Sequence, residues 1–145
     1  MKTEAPQNLV IIAGKGVYPL LLAQSAREQG VKRISVIAFK GETDGSIEKH
    51  ADETRWIYLG QLENMLKALK ETGAKQAVMA GQITPTSLLR VRMDTRMISV
   101  LANLKTRNAE TIFGAIGAEL KTIGITLLPA SMFMESHMPS PGTLT

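Results

Sequence analysis

The sequence predicts an α/β fold: a Rossmann-like three-layer domain with a mostly parallel sheet of about five strands in the order 3-2-1-4-5. Three observations support it. Short β-prone runs alternate with helical patterns along the chain, which calls for right-handed crossovers between parallel strands. The runs are continuously apolar rather than alternating, as expected of strands covered on both faces. Glycines stand where two of these runs end, at Gly14 and Gly16 and again at Gly81.

Leu9 to Ala13 (LVIIA) reads as the first strand and stops at Gly14-Lys15-Gly16. Pro19 suits a first helical turn, and an apolar helix follows to Gly30. Ile34 to Phe39 is the second strand. The polar stretch Lys40 to Glu53 separates it from a third, Thr54 to Leu59. Leu62, Met65, Leu66 and Leu69 then recur at i, i+3, i+4 and i+7, a helical stripe that Gly73 terminates. Gln76 to Ala80 is a fourth strand ending at Gly81. After Pro85 the pattern suggests short helices. Asn108 is suited to cap a longer helix to about Ile123, with Gly124 beyond it, before a fifth strand at Ile125 to Leu128. Residues 1–130 are therefore read as one domain. Residues 131–145, with little periodicity, are read as a connector leaving it.

Composition narrows the function. The 145 residues are 44% hydrophobic and 21% charged, a globular profile. There is no cysteine, so disulfides, thiolate nucleophiles and Cys-based zinc sites are excluded. No apolar run approaches the roughly 20 residues of a membrane span, and residues 1–8 lack a signal-peptide core. The expectation is a cytoplasmic protein. The formal charge is +4, yet aromatic residues make up only 4%, too few for base-stacking surfaces of the nucleic-acid-binding kind. No nucleic-acid partner is expected. Five basic residues (Arg90, Arg92, Arg96, Lys105, Arg107) stand between Thr84 and Arg107 against one acid, Asp94. They face either a diphosphate or a membrane surface, or form a solvated helical face, which is the favoured reading.

Strand order 3-2-1-4-5 places the ligand. The chain switches direction between strands 1 and 4, so the loops after them are expected to diverge and open a crevice at the carboxyl edge. Those loops are Gly14-Lys15-Gly16 and Gly81-Gln82. The first joins a strand to a helix, where backbone N–H groups and the helix start favour an anion, with Lys15 adding a point charge. A tight turn needing glycine only for its dihedrals is the competing explanation. Gln82 carries an amide that both donates and accepts. The dinucleotide fingerprint is incomplete, since Pro19 occupies the third glycine position and no acid ends the second strand; the phosphate-loop triplet is absent. Glu42, Asp44, Asp52 and Glu53 lack a recognised metal-ligand spacing and are read as surface residues. His50 and His137 are isolated, Trp56 reads as core or subunit interface, and the eight methionines as packing fillers. The chain is thus suited to bind a phosphorylated ligand but carries no evident reactive constellation.

Several segments together resemble the LpxI-type UDP-2,3-diacylglucosamine pyrophosphatases. LVIIAGKGVYP (9–19) resembles their opening strand and glycine turn, and VMAGQITP (78–85) their second glycine loop. NAETIF (108–113) with GITLLP (124–129) resembles the helix and strand that finish their first domain, and PGTLT (141–145) the segment leading into the second. Many members carry Gly-Asp-Asp where this chain has Arg107-Asn108-Ala109.

The resemblance implies the amino-terminal, substrate-binding domain of a two-domain cytoplasmic hydrolase of lipid A biosynthesis. That enzyme is dependent on Mg2+ or another divalent cation, homodimeric when full length, and in possible peripheral contact with the inner membrane. It splits UDP-2,3-diacylglucosamine into 2,3-diacylglucosamine 1-phosphate (lipid X) and UMP. The essential aspartate lies in the second domain, so no catalytic residue and no metal ligand is carried over, and the chain alone is expected to be inactive. Carried over as substrate-binding positions are Gly14, Gly16, Val17, Ala80, Gly81, Gln82 and Leu127. Val17, Ile83 and Leu127 would supply apolar surface for the lipid. Two other readings stand beside this one: a nucleotide- or sugar-phosphate-binding sensor module, and a dimerisation domain.

Overall fold

A computed structural model of the chain describes residues 7–82 and 93–134. Its centre is β1 (Asn8–Ala13), whose five residues after Asn8 are all buried. Successive strand side chains point to opposite faces, so Val10 and Ile12 enter one apolar cluster while Leu9, Ile11 and Ala13 enter the other. This two-sided burial is why LVIIA is apolar at every position. β2 (Arg33–Phe39) divides in the same way, with Ile37 and Phe39 on one side and Ile34, Val36 and Ala38 on the other.

With β3 (Glu53–Ile57), β4 (Gln76–Ala80) and β5 (Thr126–Leu128) these strands form one five-stranded sheet of order β3-β2-β1-β4-β5, and every neighbouring pair is parallel. The order agrees with the sequence expectation. α1 (Tyr18–Glu28) covers one face, using Leu22, Ala23 and Ala26. α2 (Leu62–Thr72), α3 (Thr95–Ala102) and α4 (Ala109–Thr122) cover the other, through Leu62, Met65, Leu66, Leu69, Met97, Ile112, Ile116 and Leu120. Gly73 ends α2 at φ 76°, the left-handed stop its position predicts. No helix among the described residues is long and apolar enough to cross a membrane.

The structure departs from the expectation in four places. β3 ends at Ile57 rather than Leu59: Tyr58 turns outward and Gly60 adopts φ 93° before α2. The polar stretch after β2 contains a 3-10 turn, Gly45–His50, started by Asp44 and held to the core by fully buried Ile47. Residues 131–134 form a short helix, α5 (Ser131–Met134), which docks on α1. Its Phe133 is 1% exposed, and the Phe133 carbonyl accepts from the Ser25 hydroxyl and from Gln29 Nε2, the latter at 3.0 Å. Finally, the loops after β1 and β4 meet instead of diverging, as described below. The short helices expected from Pro85 fall partly on residues 83–92, outside the described residues.

Candidate binding site at the β1–β4 edge

Parallel strands bring the chain out of β1 and β4 side by side at the carboxyl edge. Gly14 N–H donates to the Ala80 carbonyl at 2.7 Å, continuing the sheet pairing by one residue. Lys15 and Gln82 then form an antiparallel bridge: Lys15 N–H donates to the Gln82 carbonyl at 3.0 Å, and Gln82 N–H to the Lys15 carbonyl at 3.1 Å. The predicted divergence is therefore wrong for the first residues of each loop. Two edges with unpaired backbone groups satisfied each other before they could separate.

This contact explains two of the glycines. A Cβ on Gly14 would lie 2.7 Å from the Gln82 carbonyl oxygen, and one on Gly81 2.7 Å from the Lys15 oxygen and 2.8 Å from the Gly14 carbonyl carbon. Gly81 also has φ 91°, a conformation that L side chains rarely adopt. Gly16 is a different case, with φ 97° and open space where a Cβ would stand. At Gly14 the requirement is closeness, at Gly16 the dihedral, and at Gly81 both.

Beside the bridge lies a cavity of ≈ 460 Å³, lined by Lys15, Gly16, Val17, Tyr18, Met79, Ala80, Gly81, Gln82 and Ala130. It gathers five of the positions expected from the sequence: Gly16, Val17, Ala80, Gly81 and Gln82. Gly14 sits behind them in the bridge. Leu127 stands apart, in β5, packed against α4 where its Cδ2 would meet a Cβ on Gly117 at 3.3 Å. Ile83 lies outside the described residues. Tyr18, Met79 and Ala130 were not anticipated. Tyr18 follows Val17 in the chain, but Ala130 reaches the cavity only because the chain turns back after β5, which no local pattern reveals.

The helix starts differ in a way that bears on charge. α3 begins on Asp94, whose Oδ1 accepts from Met97 N–H at 2.8 Å. The other oxygen of Asp94 accepts from Glu63 N–H at 2.7 Å, capping α2 from across the fold. α4 begins on Asn108 in a reciprocal capping box with Thr111. An asparagine cap does there what an aspartate would, which gives Arg107-Asn108-Ala109 a structural sense. α1 begins on Val17, which has no side-chain acceptor to offer. Its positive end lies at the cavity, next to Lys15 and Val17, which is 59% exposed.

The acids that the sequence offers as metal ligands have structural partners. Glu42 faces Lys15 Nζ at 3.6 Å, and its buried Oε1 makes no hydrogen bond. Asp44 accepts from the Ser46 backbone N–H and hydroxyl, which holds its carboxyl below the usual carboxylate range. Asp52 is lowered chiefly by the Ile34 N–H and secondly by Arg27, 2.9 Å away. Glu53 pairs with Arg33 and Arg55. Among the described residues no three His, Cys, Asp or Glu side chains converge as metal ligands. The donors described do not fit a resident divalent cation.

The basic segment resolves in part. Arg96 binds Glu63 at 2.9 Å and Glu119 at 2.7 Å, which raises its already high pKa, and Arg107 Nε donates to the Leu101 carbonyl. Both serve the helical face. Arg90, Arg92 and His137 lie outside the described residues. Trp56 is half-buried against the α1-side core and donates Nε1–H to Glu48 at 2.7 Å. Met65, Met79 and Met97 surround a core gap of ≈ 30 Å³, enough for about one water and lined by apolar atoms.

Comparison with known proteins gives a consistent picture of fold. Among solved structures, a thermophilic 2-oxoglutarate carboxylase biotin carboxylase domain aligns with TM-score 0.53 at 16% identity, covering 85% of this chain and 23% of that one. The biotin carboxylase domain of Hydrogenobacter thermophilus 2-oxoglutarate carboxylase, solved with MgADP and bicarbonate, aligns with TM-score 0.50 at 15% identity, covering 86% and 23%. Rhizobium etli pyruvate carboxylase aligns with TM-score 0.51 at 13% identity, covering 96% of this chain and 12% of that one. At such identities the likeness is one of fold alone, and the chain spans under a quarter of each protein. No curated protein matches the sequence. The family comparison is decisive, because the match runs over residues 8–137 and takes in every element from β1 to α5: the chain belongs to the LpxI N-terminal domain family.

Proposed function

We propose that the chain is the substrate-binding domain of an enzyme of lipid A synthesis that cleaves the pyrophosphate bond of UDP-2,3-diacylglucosamine, releasing UMP and 2,3-diacylglucosamine 1-phosphate. Family membership supports the pathway. The observation that carries the binding role is the α1 start, which lacks a capping side chain and opens on the ≈ 460 Å³ cavity beside Lys15.

The diphosphate is the strongly charged part of this substrate. Pro19 has no N–H, and the Leu20 and Leu21 N–H groups already donate to the Val17 carbonyl. The attraction for such an anion therefore comes from the positive end of the α1 dipole and from the Lys15 ammonium, which would turn from Glu42 towards it. The Gln82 amide adds a neutral donor beside Lys15. Exposed Val17 offers apolar surface to the glycolipid half. The cavity contains no nucleophile–base pair or carboxylate pair. Hydrolysis, and any divalent cation it uses, is therefore assigned to groups outside the described residues. The longer enzyme acts at the cytoplasmic membrane surface, where its product lipid resides, and works as a homodimer.

The test is calorimetric titration with UMP and, separately, with a short-chain diacylglucosamine 1-phosphate, on the native chain and on Lys15→Ala. Binding of either ligand that weakens about tenfold in the variant is expected, the loss of one charge-assisted contact. Affinity for both ligands that ignores Lys15 would put the binding elsewhere. In a turnover assay the chain alone should release no UMP from UDP-2,3-diacylglucosamine above buffer.

A further inference from the structure

Two strands away along the same carboxyl edge stands an aromatic ring that the fold does not use. Tyr58 follows β3 and is 61% exposed, the most exposed large hydrophobic residue described. Its neighbours explain how it is held. Lys40 N–H donates to the Ile57 carbonyl at 2.9 Å, locking the exits of β2 and β3 together. The Lys40 ammonium then lies 4.7 Å from the Tyr58 ring centroid, a cation–π contact that fixes the ring although most of the residue remains in water. The chain has only two tyrosines and one tryptophan, and the other tyrosine, Tyr18, and Trp56 pack partly against the core.

We propose that Tyr58, braced by Lys40, is the stacking platform for the pyrimidine base of the nucleotide, an inference that rests on the proposed function. Position supports it. β3 lies two strands from β1, and neighbouring strands are about 4.8 Å apart, so the platform stands roughly 10 Å along the sheet edge from the exit of β1, the near wall of the anion cavity. That separation suits a nucleotide laid along the edge, its base on Tyr58 and its 5′-phosphate towards the start of α1. Lys40 covers one face of the ring and leaves the other open to a base. The remaining exposed hydrophobics do not offer this: Val17, Ile98 and Met132 have no π face.

The experiment compares two probes, UMP and ribose 5-phosphate, which share sugar and phosphate but not the base. The native chain should bind UMP about tenfold more tightly, the usual worth of one stacked base. Tyr58→Ala should erase that advantage and leave ribose 5-phosphate affinity unchanged, while Tyr58→Phe, which keeps the ring, should retain it within about twofold. UMP affinity unaffected by Tyr58→Ala overturns the platform, as does equal loss for both probes. If that affinity still falls with Lys15→Ala, the proposed anion site survives on its own. Loss with Tyr58→Ala and none with Lys15→Ala supports the platform and removes the anion site. Failure of the native chain to bind either probe overturns both.

Discussion

Two corners of the same sheet edge are built by opposite means. Where α2, α3 and α4 meet, side-chain charge does the joining: Asp94 caps two helices at once, and Arg96 spans Glu63 and Glu119. Where β1 and β4 end, backbone does the joining, through the Lys15–Gln82 bridge and glycines with no room for a side chain. The first corner is electrostatically complete and sterically loose. The second is sterically tight, and the helix start beside it has no side-chain cap. A fold that needs somewhere to place an anion gains from this division, because the α2 and α3 N–H groups held by Asp94 are not available to a ligand.

The largest test of that contrast is to crowd the tight corner. Gly81→Val should cost at least about 3 kcal/mol in urea unfolding, from a left-handed backbone and a clash with the Gly14–Lys15 backbone together. Gly16→Ala shares the positive φ but meets no atom, and should cost only about 1 kcal/mol. Equal losses would mean that the loop contact contributes nothing. At the charged corner, Asp94→Ala removes acceptors from two helix starts and should cost about 2 kcal/mol, read in the same assay.

Smaller effects sharpen the comparison. Val17→Asp gives α1 the charge its start lacks. It should stabilise the domain by about 0.5 kcal/mol while weakening UMP binding severalfold. Gain in both would sink the anion reading of the helix start. The smallest effect concerns pH. Asp52 has a lowered pKa in the folded chain, so its contribution is present above the usual carboxylate range and is lost as pH falls through the folded value. Melting curves of Asp52→Asn should show a deficit at neutral pH that closes progressively below about pH 4. A deficit that persisted at lower pH would point to lost packing instead.

Much of this fold was legible in the sequence because its signals are local. LVIIA is apolar throughout, since both of its faces are covered, and Leu62, Met65, Leu66 and Leu69 share one helical face with Gly73 as the stop. Topology then brought Gly16, Val17, Ala80, Gly81 and Gln82 to one cavity. What local pattern could not supply depends on contacts between distant residues. The bridge between Lys15 and Gln82 exists only after the strands are placed, and so the predicted divergence failed. Leu127, two residues before Pro129, faces α4 rather than the cavity because β5 is an edge strand with its own helix to cover. The turn at Ser131–Met134 hides in a proline-flanked segment with no periodicity, and its anchors, Ser25 and Gln29, are about a hundred residues earlier.

That anchored turn also acts as a mooring. Phe133 ties the chain to α1 just after Ala130 has passed the cavity wall. Ala130 is thus held between β5 on one side and the anchored turn on the other, so this part of the cavity wall is positioned by contacts to α1 as well as by the sheet.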